Sequence, residues 1–152
     1  MRLGVIGGGG MAGYHALNVT RIPHCTLVAL GSPEYTPATR DVAAQVGATC
    51  TADAAAVYTR ADIDAVIIAT PTDTHAAVAI AAMQHGKHVF VEKPLARTLA
   101  DASAIIEASI RYQRKLMTGH VVRYFADYAQ AHQMITAGAI GQPGIARTNR
   151  CG

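Results

Sequence analysis

Short apolar runs alternate with longer segments in which apolar residues recur at helical spacing, from the third residue onward. The apolar runs predict six buried strands at 3–6, 26–30, 48–51, 65–69, 88–91 and 115–118. The segments between them predict helices at 11–21, 39–46, 53–58, 74–84 and 99–112. Because strands that alternate with helices favour parallel crossovers, the pattern predicts an α/β protein. We expect a Rossmann-type, doubly wound parallel sheet of about six strands with helices on both faces.

The alternation of strands and helices stops after residue 118. The remaining sequence predicts a helix over 123–136, a turn that contains glycine and proline, and the beginning of a strand over 145–149. A strand without a partner is an unfavourable end for a domain, because its backbone groups stay unpaired. We therefore expect residues 1–118 to form the Rossmann domain. Residues 119–152 are expected to form a hinge helix and the opening of a truncated second α/β domain.

Composition narrows the class of protein. Hydrophobic residues make up 51% of the 152 residues and charged residues 15%, so we expect part of the apolar surface to meet a partner or another domain. The formal net charge is only +3, and the sequence contains no run of Lys or Arg residues. Both observations argue against a nucleic-acid partner. Polar residues interrupt the apolar stretches and a strand begins at once, so we expect no membrane span, no signal peptide and a cytoplasmic location. The scattered Cys25, Cys50 and Cys151 indicate reduced thiols rather than disulfides or a metal site.

A glycine-rich turn joins the first predicted strand to the first predicted helix. Glycines there let backbone N–H groups approach a ligand, and the following helix offers unpaired donors and the positive end of its dipole. The dinucleotide fingerprint G-x-G-x-x-A fits through Gly7, Gly9 and Ala12, which we prefer to a fit through Gly7, Gly10 and Gly13. The alternative is a glycine turn that binds nothing. The candidate cofactor-binding residues of this turn are Gly7, Gly9, Gly10, Met11 and Ala12.

The end of the second predicted strand bears on the choice between NAD and NADP. Many NAD sites place Asp or Glu there, because a carboxylate accepts hydrogen bonds from the ribose 2′-OH and repels a 2′-phosphate. This chain has the uncharged Ser32 at that place, and Arg40 follows as a candidate phosphate partner. NADP is therefore slightly favoured over NAD, although Glu34 also offers a carboxylate for the ribose. In the alternative interpretation, Ser32 and Arg40 are ordinary turn and helix-surface residues.

Polar residues also follow the fourth and fifth predicted strands, where ligands of parallel sheets bind. The candidate cofactor-binding residues at these two ends are Thr70, Pro71, Thr72, His75, Glu92, Lys93 and Pro94. A lysine at a strand end in a cleft can hold a substrate oxygen and stabilise developing alkoxide charge, which makes Lys93 the candidate catalytic residue. The alternatives are a helix cap at Thr72 or Asp73, an exposed or capping His75, and a surface ion pair in Glu92-Lys93.

Taken together, these motifs resemble the N-terminal domain of the Gfo/Idh/MocA oxidoreductases, the group of glucose–fructose oxidoreductase and inositol dehydrogenase. The resemblance covers essentially the whole chain, and its most specific part is the run through Glu92-Lys93-Pro94. The matching pieces are Gly7-x-Gly9-x-x-Ala12 with His15, residues 64–71 with His75, residues 86–95, Gly119-His120-x-x-Arg123 and Gly138-x-Ile140-Gly141.

The resemblance implies an enzyme that transfers hydride between NAD(P) and a sugar, a cyclitol or a related polyol. It implies that Lys93 binds the reacting oxygen and assists proton movement. Glu92 and Pro94 would set the geometry beside the nicotinamide, and family members often hold the Lys–Pro bond cis. The implied ligands of the ribose and nicotinamide are Thr70, Pro71, Thr72 and His75.

The rest of the family pattern lies beyond this chain. Family members usually take the acid/base histidine from an Asp-x-x-x-His segment of the second domain, and dimerise through the sheet of that domain. We therefore expect the chain alone to bind cofactor weakly or moderately and to turn over little, and the full-length protein to be a homo-oligomer. His120 and Arg123 match the hinge region and are expected to support structure.

Two other functions are compatible with this fold. One is a non-catalytic sensor that binds a dinucleotide to control a partner, against which the retained Lys93 argues. The other is an NAD-dependent glycoside-cleaving enzyme, which is less favoured because such sequences usually lack Glu-Lys-Pro.

Overall fold

The structure is a computed structural model that describes residues 1–148. Six parallel strands form one sheet in the order β3-β2-β1-β4-β5-β6, which confirms the predicted doubly wound α/β fold. The strands are β1 Arg2–Ile6, β2 Thr26–Gly31, β3 Thr49–Thr51, β4 Ala65–Ile68, β5 His88–Val91 and β6 Leu116–Thr118.

The strand order reverses between β1 and β4, and this places the crevice of the sheet at their carboxyl ends. Ile6 of β1 pairs with Gly31 on one side and with Ile68 on the other. Val91 of β5 pairs with Ile68 and Thr118. The in-register strand ends bring the segments after β1, β2, β4 and β5 to one edge of the sheet. A reversal of this kind is where open α/β sheets bind their ligands.

Helices cover both faces of the sheet, as the alternating pattern predicts. Helices α1 and α2 pack over an apolar cluster that includes Leu3, Val5 and Leu30. The opposite face of the sheet buries Ile6, Ile68 and other residues against α3, α4 and α5. Successive strand residues point to opposite faces, so neighbours such as Val5 and Ile6 enter different cores. The helices are α1 Gly10–Val19, α2 Pro37–Gln45, α3 Ala55–Tyr58, α4 His75–Gln84, α5 Leu99–Arg111 and α6 Ala126–Thr136.

The helix predicted over 39–46 begins two residues earlier, at Pro37. Thr36 caps it, since its Oγ1 accepts a hydrogen bond of 3.3 Å from the backbone N–H of Thr39. Pro37 occupies a first-turn position, where a proline removes no helical hydrogen bond. A polar cap and a proline thus start the helix before its apolar periodicity becomes visible.

Two other predicted helices are interrupted near their starts. The helix predicted from residue 74 is preceded by a 3₁₀ turn, Thr72–Thr74, and α4 begins at His75. The helix predicted over 123–136 divides into a 3₁₀ turn, Val121–Tyr124, and α6. The strand predicted over 145–149 is not formed over 145–148, because no neighbouring strand pairs with that segment; residue 149 lies outside the described residues.

The chain divides into two compact units, one from Met1 to Gly119 and one from His120 onward. The first unit holds the whole sheet. In the second unit α6 exposes apolar side chains, including Tyr128, Met134 and Ile135. That residues 119–152 open a further α/β domain stays a prediction. None of the described helices has the length and apolar character needed to cross a membrane.

Candidate functional site

The glycine turn after β1 is too crowded for side chains at its first two positions. Gly7 has a φ of +136°, and a Cβ there would lie 2.5 Å from the carbonyl oxygen of Ala69. A Cβ at Gly8 would collide with the carbonyl oxygen of Glu34. The backbone of Gly7 donates to the Gly31 carbonyl at 2.9 Å, and Gly8 accepts from Thr36 at 2.8 Å. These two glycines hold the turn against the segments after β2 and β4.

The next two glycines are open instead. Gly9 and Gly10 are exposed, and a Cβ at either would meet no atom of residues 1–148 within 4 Å. Gly9 precedes the first turn of α1, which has no side-chain cap and no acidic residue. The unpaired N–H groups and the positive end of the helix dipole therefore face open space, which suits a diphosphate.

The two possible fits of the dinucleotide fingerprint end at different residues, Ala12 and Gly13, and these two residues make different contacts. Ala12 is buried, and its Cβ lies 3.4 Å from where a Cβ of Gly7 would stand, so it packs against the strand end. Gly13 faces the other way, because a Cβ there would lie 2.8 Å from Oγ1 of Thr39 on α2. Thr39 is fully buried, and its hydroxyl donates to the Gly9 carbonyl at 3.1 Å. The sequence pattern gave no sign of this contact between helices.

Ser32 and Arg40 lie where strand 2 and its helix were expected to place them. Ser32 follows Gly31, the last residue of β2, and its Oγ lies 3.4 Å from the backbone N–H of Glu34. Arg40 is exposed on α2, and its guanidinium makes no hydrogen bond or ion pair with residues 1–148. The structure thus leaves both side chains available to a nucleotide at the end of β2.

Tyr35 fixes the loop that follows β2. Its hydroxyl lies 2.9 Å from the Leu30 carbonyl and 2.6 Å from the Thr51 carbonyl. Burial raises the pKa of this phenol above its ordinary value, so the hydroxyl keeps its proton as a donor. The loop that carries Ser32 is therefore bound to both β2 and β3, a constraint that the sequence did not reveal.

A cavity of about 160 Å³ opens at the ends of β4 and β5. Lys93 is exposed at its rim, and its ammonium group makes no hydrogen bond within residues 1–148. On the β4 side, the Thr70 hydroxyl accepts a hydrogen bond of 2.7 Å from Thr74. The lining residues are Met11, Ala69, Thr70, Thr72, His75, Glu92 and Lys93. Segments that are far apart in the sequence thus meet beside the first turn of α1.

His75 lies under this cavity rather than at its surface, since only 1% of the residue is exposed. Its Nδ1 lies 2.9 Å from the Pro94 carbonyl oxygen, and its Nε2 lies 3.0 Å from the Thr70 carbonyl oxygen. The ring therefore connects the two segments that flank the cavity. Its implied contact with a bound cofactor stays a prediction. The Lys93–Pro94 peptide bond is cis, as the family resemblance implies.

The carboxylate of Glu92 points into the protein and does not form the surface ion pair with Lys93 that the sequence left as an alternative. The residue is 7% exposed, and Oε1 lies 2.7 Å from Nε2 of His15 on α1. Its Oε2 accepts a hydrogen bond of 3.1 Å from the backbone N–H of Lys93.

Within residues 1–148, no group of three or more His, Cys, Asp or Glu residues is placed to hold a metal ion.

Comparison with known proteins agrees with this geometry. Residues 1–120 match the oxidoreductase family that is described by an NAD-binding Rossmann fold. The chain belongs to the Gfo/Idh/MocA oxidoreductase family. The resemblance seen in the sequence motifs is confirmed, and so is an NAD-binding Rossmann domain.

Several inositol dehydrogenases are among the relatives of this Gfo/Idh/MocA chain. It is 39% identical over 145 residues to scyllo-inositol 2-dehydrogenase (NAD(+)) of Bacillus subtilis, covering 94% of the chain and 42% of that protein. It is 34% identical over 145 residues to inositol 2-dehydrogenase 4 of Saccharopolyspora erythraea, with 94% and 43% covered. The structure of scyllo-inositol dehydrogenase from Lactobacillus casei with bound NAD(H) and scyllo-inositol matches with a TM-score of 0.84 at 30% identity, covering 93% of the chain and 42% of that protein. The chain spans less than half the length of these relatives.

The structure also brings His15 and Glu92, which belong to two separate motifs of the sequence, into contact. His15 belongs to the glycine-turn motif and Glu92 to the strand 5 motif, yet their side chains form one hydrogen bond across 77 positions of sequence. In the sequence these are only two separate polar residues, one in a predicted helix and one at a strand end. Knowledge of the strand order was needed to place α1 above the end of β5.

Proposed function

We propose that this chain is the dinucleotide-binding part of a dehydrogenase that acts on a cyclitol, a sugar or a similar polyol. The observation that carries the proposal is the position of Lys93, whose ammonium group makes no hydrogen bond within residues 1–148 and lies at a cavity that Met11 of α1 also lines. Gly9, Gly10 and the N–H groups of α1 would hold the diphosphate, and the bound nicotinamide would accept or donate the hydride. The relatives named for inositol oxidation support this substrate class.

Lys93 supplies the polar chemistry at the substrate oxygen. As a carbinol is oxidised, the hydrogen of its C–H bond would leave with the electron pair as hydride to the nicotinamide, and its O–H proton would pass to a base, which the family resemblance assigns to a histidine of the second domain. Negative charge therefore develops on the oxygen. An ammonium group at this position stabilises that charge by a hydrogen bond that strengthens in the transition state. The backbone N–H of Lys93 donates to the inward carboxylate of Glu92, which ties this residue to the end of β5 beside the cavity.

Dinucleotide binding is tested by Gly10→Ala. The side chain enters open space in the free protein and replaces a glycine in a helix, so the thermal unfolding midpoint should not fall. The methyl group would stand where the diphosphate approaches, and we expect NADH binding measured by calorimetry to weaken about tenfold or more. Gly144→Ala, which also meets no neighbour within 4 Å, is the matched control. Equal NADH affinity in the Gly10→Ala and wild-type proteins would contradict the proposed diphosphate site.

The reaction is tested with the protein extended through its downstream coding sequence. We expect NAD(P)H to form when cyclitols or sugars are added together with NAD(P)+. Lys93→Met should lower kcat about 100-fold or more and weaken cofactor binding by a much smaller factor. An extended protein that binds the cofactor but reduces it with none of these substrates would refute the proposed activity. The assembly of the full-length protein into a homo-oligomer and its cytoplasmic location remain predictions.

We further propose that the site accepts NADP in preference to NAD. The support is the uncharged Ser32 where many NAD sites have a carboxylate, and the guanidinium of Arg40 on α2, which has no partner among residues 1–148. NADPH should bind more tightly than NADH, and Arg40→Ala should remove that difference without weakening NADH. Equal or weaker binding of NADPH would overturn the proposal, and loss of NADH affinity in Glu34→Gln would then assign the ribose to Glu34.

A further inference from the structure

His15 makes a contact that the proposed binding of the diphosphate does not require. It lies in the second turn of α1, and its Nε2 lies 2.7 Å from Oε1 of Glu92, which immediately follows β5. The imidazole also packs edge-on against Phe90, with ring centroids 5.3 Å apart and an interplanar angle of 65°. Two fixed neighbours therefore orient the ring, and its polar edge points to the carboxylate.

Glu92 is satisfied only because both of its oxygens have donors. An ionised carboxylate is an acceptor, so the proton of this hydrogen bond belongs to Nε2 of His15. The second oxygen, Oε2, accepts from the backbone N–H of Lys93 at 3.1 Å. The carboxyl group packs beside Gly119, where a Cβ would lie 3.4 Å from Oε1 and 3.2 Å from Cζ of Phe90. The carboxylate of a residue that is only 7% exposed needs such partners, and the loss of one changes where the group can rest.

We propose that His15 is a positioning residue for Lys93. The connection runs from Nε2 of His15 through the Glu92 carboxylate to the backbone amide of Lys93. It joins the helix that begins at the glycine turn to the residue at the cavity rim. The value of this connection for catalysis rests on the function proposed above for Lys93. The connection itself is a property of the chain that can be measured without cofactor or substrate.

The direct readout is the backbone amide of Lys93 in ¹⁵N-labelled protein. In His15→Ala the buried carboxylate loses a donor and turns toward water, so the Lys93 amide loses its acceptor. Its hydrogen exchange should accelerate about tenfold or more, the factor that corresponds to one hydrogen bond of about 1.4 kcal/mol. Its proton resonance should also move upfield. In His15→Gln the side-chain amide places a donor near the position of Nε2, and the Lys93 amide should return toward its wild-type exchange rate.

Two further variants separate positioning from folding. His85→Gln is the control for His15→Gln, because it replaces an exposed histidine that stacks on Tyr58. The Lys93 amide of this variant should exchange as in wild type. If His15→Ala does not fold, Glu92→Gln provides the test, because its neutral amide is a weaker acceptor and should also accelerate Lys93 exchange. An unchanged Lys93 amide in a folded His15→Ala or Glu92→Gln protein would overturn the proposal. So would a His15→Gln protein that behaves like His15→Ala, because the ring would then act through its packing on Phe90.

The same variants distinguish this proposal from the proposed function. If the extended protein shows no dehydrogenase activity while the Lys93 amide responds as expected, the connection stands and the function fails. If the extended protein is active and the amide does not respond, the function stands and His15 has no positioning role. With both correct, His15→Ala should lower kcat more than it raises the KM for the cofactor, and His15→Gln should restore kcat.

Discussion

Lys87 offers the sharpest test of how the sheet is stabilised away from the site. The residue directly precedes β5 and is 6% exposed, and its Nζ donates to two backbone carbonyls. The acceptors are Arg60 at 2.5 Å and Ile63 at 2.8 Å, both in the segment between α3 and β4. The substitution Lys87→Met retains an unbranched stem of similar length and removes the donors.

The magnitude follows from opposing contributions. A hydrogen bond from a charged donor contributes about 1.5–3 kcal/mol, and two are lost. The substitution also removes the cost of burying the ammonium group, which offsets part of that loss. We expect a net decrease of about 1–3 kcal/mol in the free energy of unfolding. For a protein of this length that corresponds to a decrease of about 2–12 °C in Tm.

Urea unfolding and calorimetry measure this difference, and Lys115→Met is the matched control. Lys115 is exposed, so its substitution should change the free energy of unfolding by less than about 0.5 kcal/mol. A Lys87→Met protein as stable as wild type would refute the assigned role of the two hydrogen bonds.

The pH dependence provides a second check on Lys87. Burial lowers the pKa of this amine in the folded protein below its ordinary value of 10.5. At pH values between the lowered pKa of the folded protein and 10.5, Lys87 binds more protons in the unfolded chain than in the folded one. The contribution of Lys87 to the free energy of unfolding should therefore rise with pH in that range. The difference in unfolding free energy between wild type and Lys87→Met should therefore grow toward pH 10. A difference that shrinks over this range would contradict the sign.

Three other substitutions test separate parts of the fold. The Arg2 guanidinium lowers the pKa of Asp64 from 3.8 to about 2, so the stability that Asp64→Asn removes should be complete above pH 4 and vanish toward pH 2 in urea titrations. Gly13→Ala places a Cβ 2.8 Å from the buried Thr39 hydroxyl and should lower the free energy of unfolding by about 1–3 kcal/mol; full stability would show that α1 and α2 can separate freely. His75→Ala removes the buried ring between two carbonyls and should cost about 2–4 kcal/mol in the same assay, whereas a loss below 1 kcal/mol would contradict its role as a connector.

The fold was accessible from sequence because its signals are local. Uncharged runs such as 65–68 have no period that would suit a helix, and the glycine turn and the Glu92-Lys93-Pro94 run lie directly at strand ends. Strand ends of a parallel sheet share one edge, so candidate site residues could be placed together before their distances were known. Helix starts were less accurate, because Thr36 and Pro37 begin α2 through capping rather than apolar spacing.

The amino-acid pattern alone was enough to predict the sheet, its parallel direction, the family and the edge of the sheet at which Lys93 lies. Which polar groups meet at that edge depended on the packing of the folded chain. His15 and Glu92 are 77 positions apart, and no periodicity relates residues on separate elements. His75 and Glu92 are both buried, and each therefore needs polar partners inside the protein. The two nitrogens of His75 lie beside carbonyl oxygens beneath the cavity, and the Glu92 carboxylate points inward to His15. A buried polar group must find its partner wherever the packed chain supplies one, and that choice is made by packing rather than by local sequence.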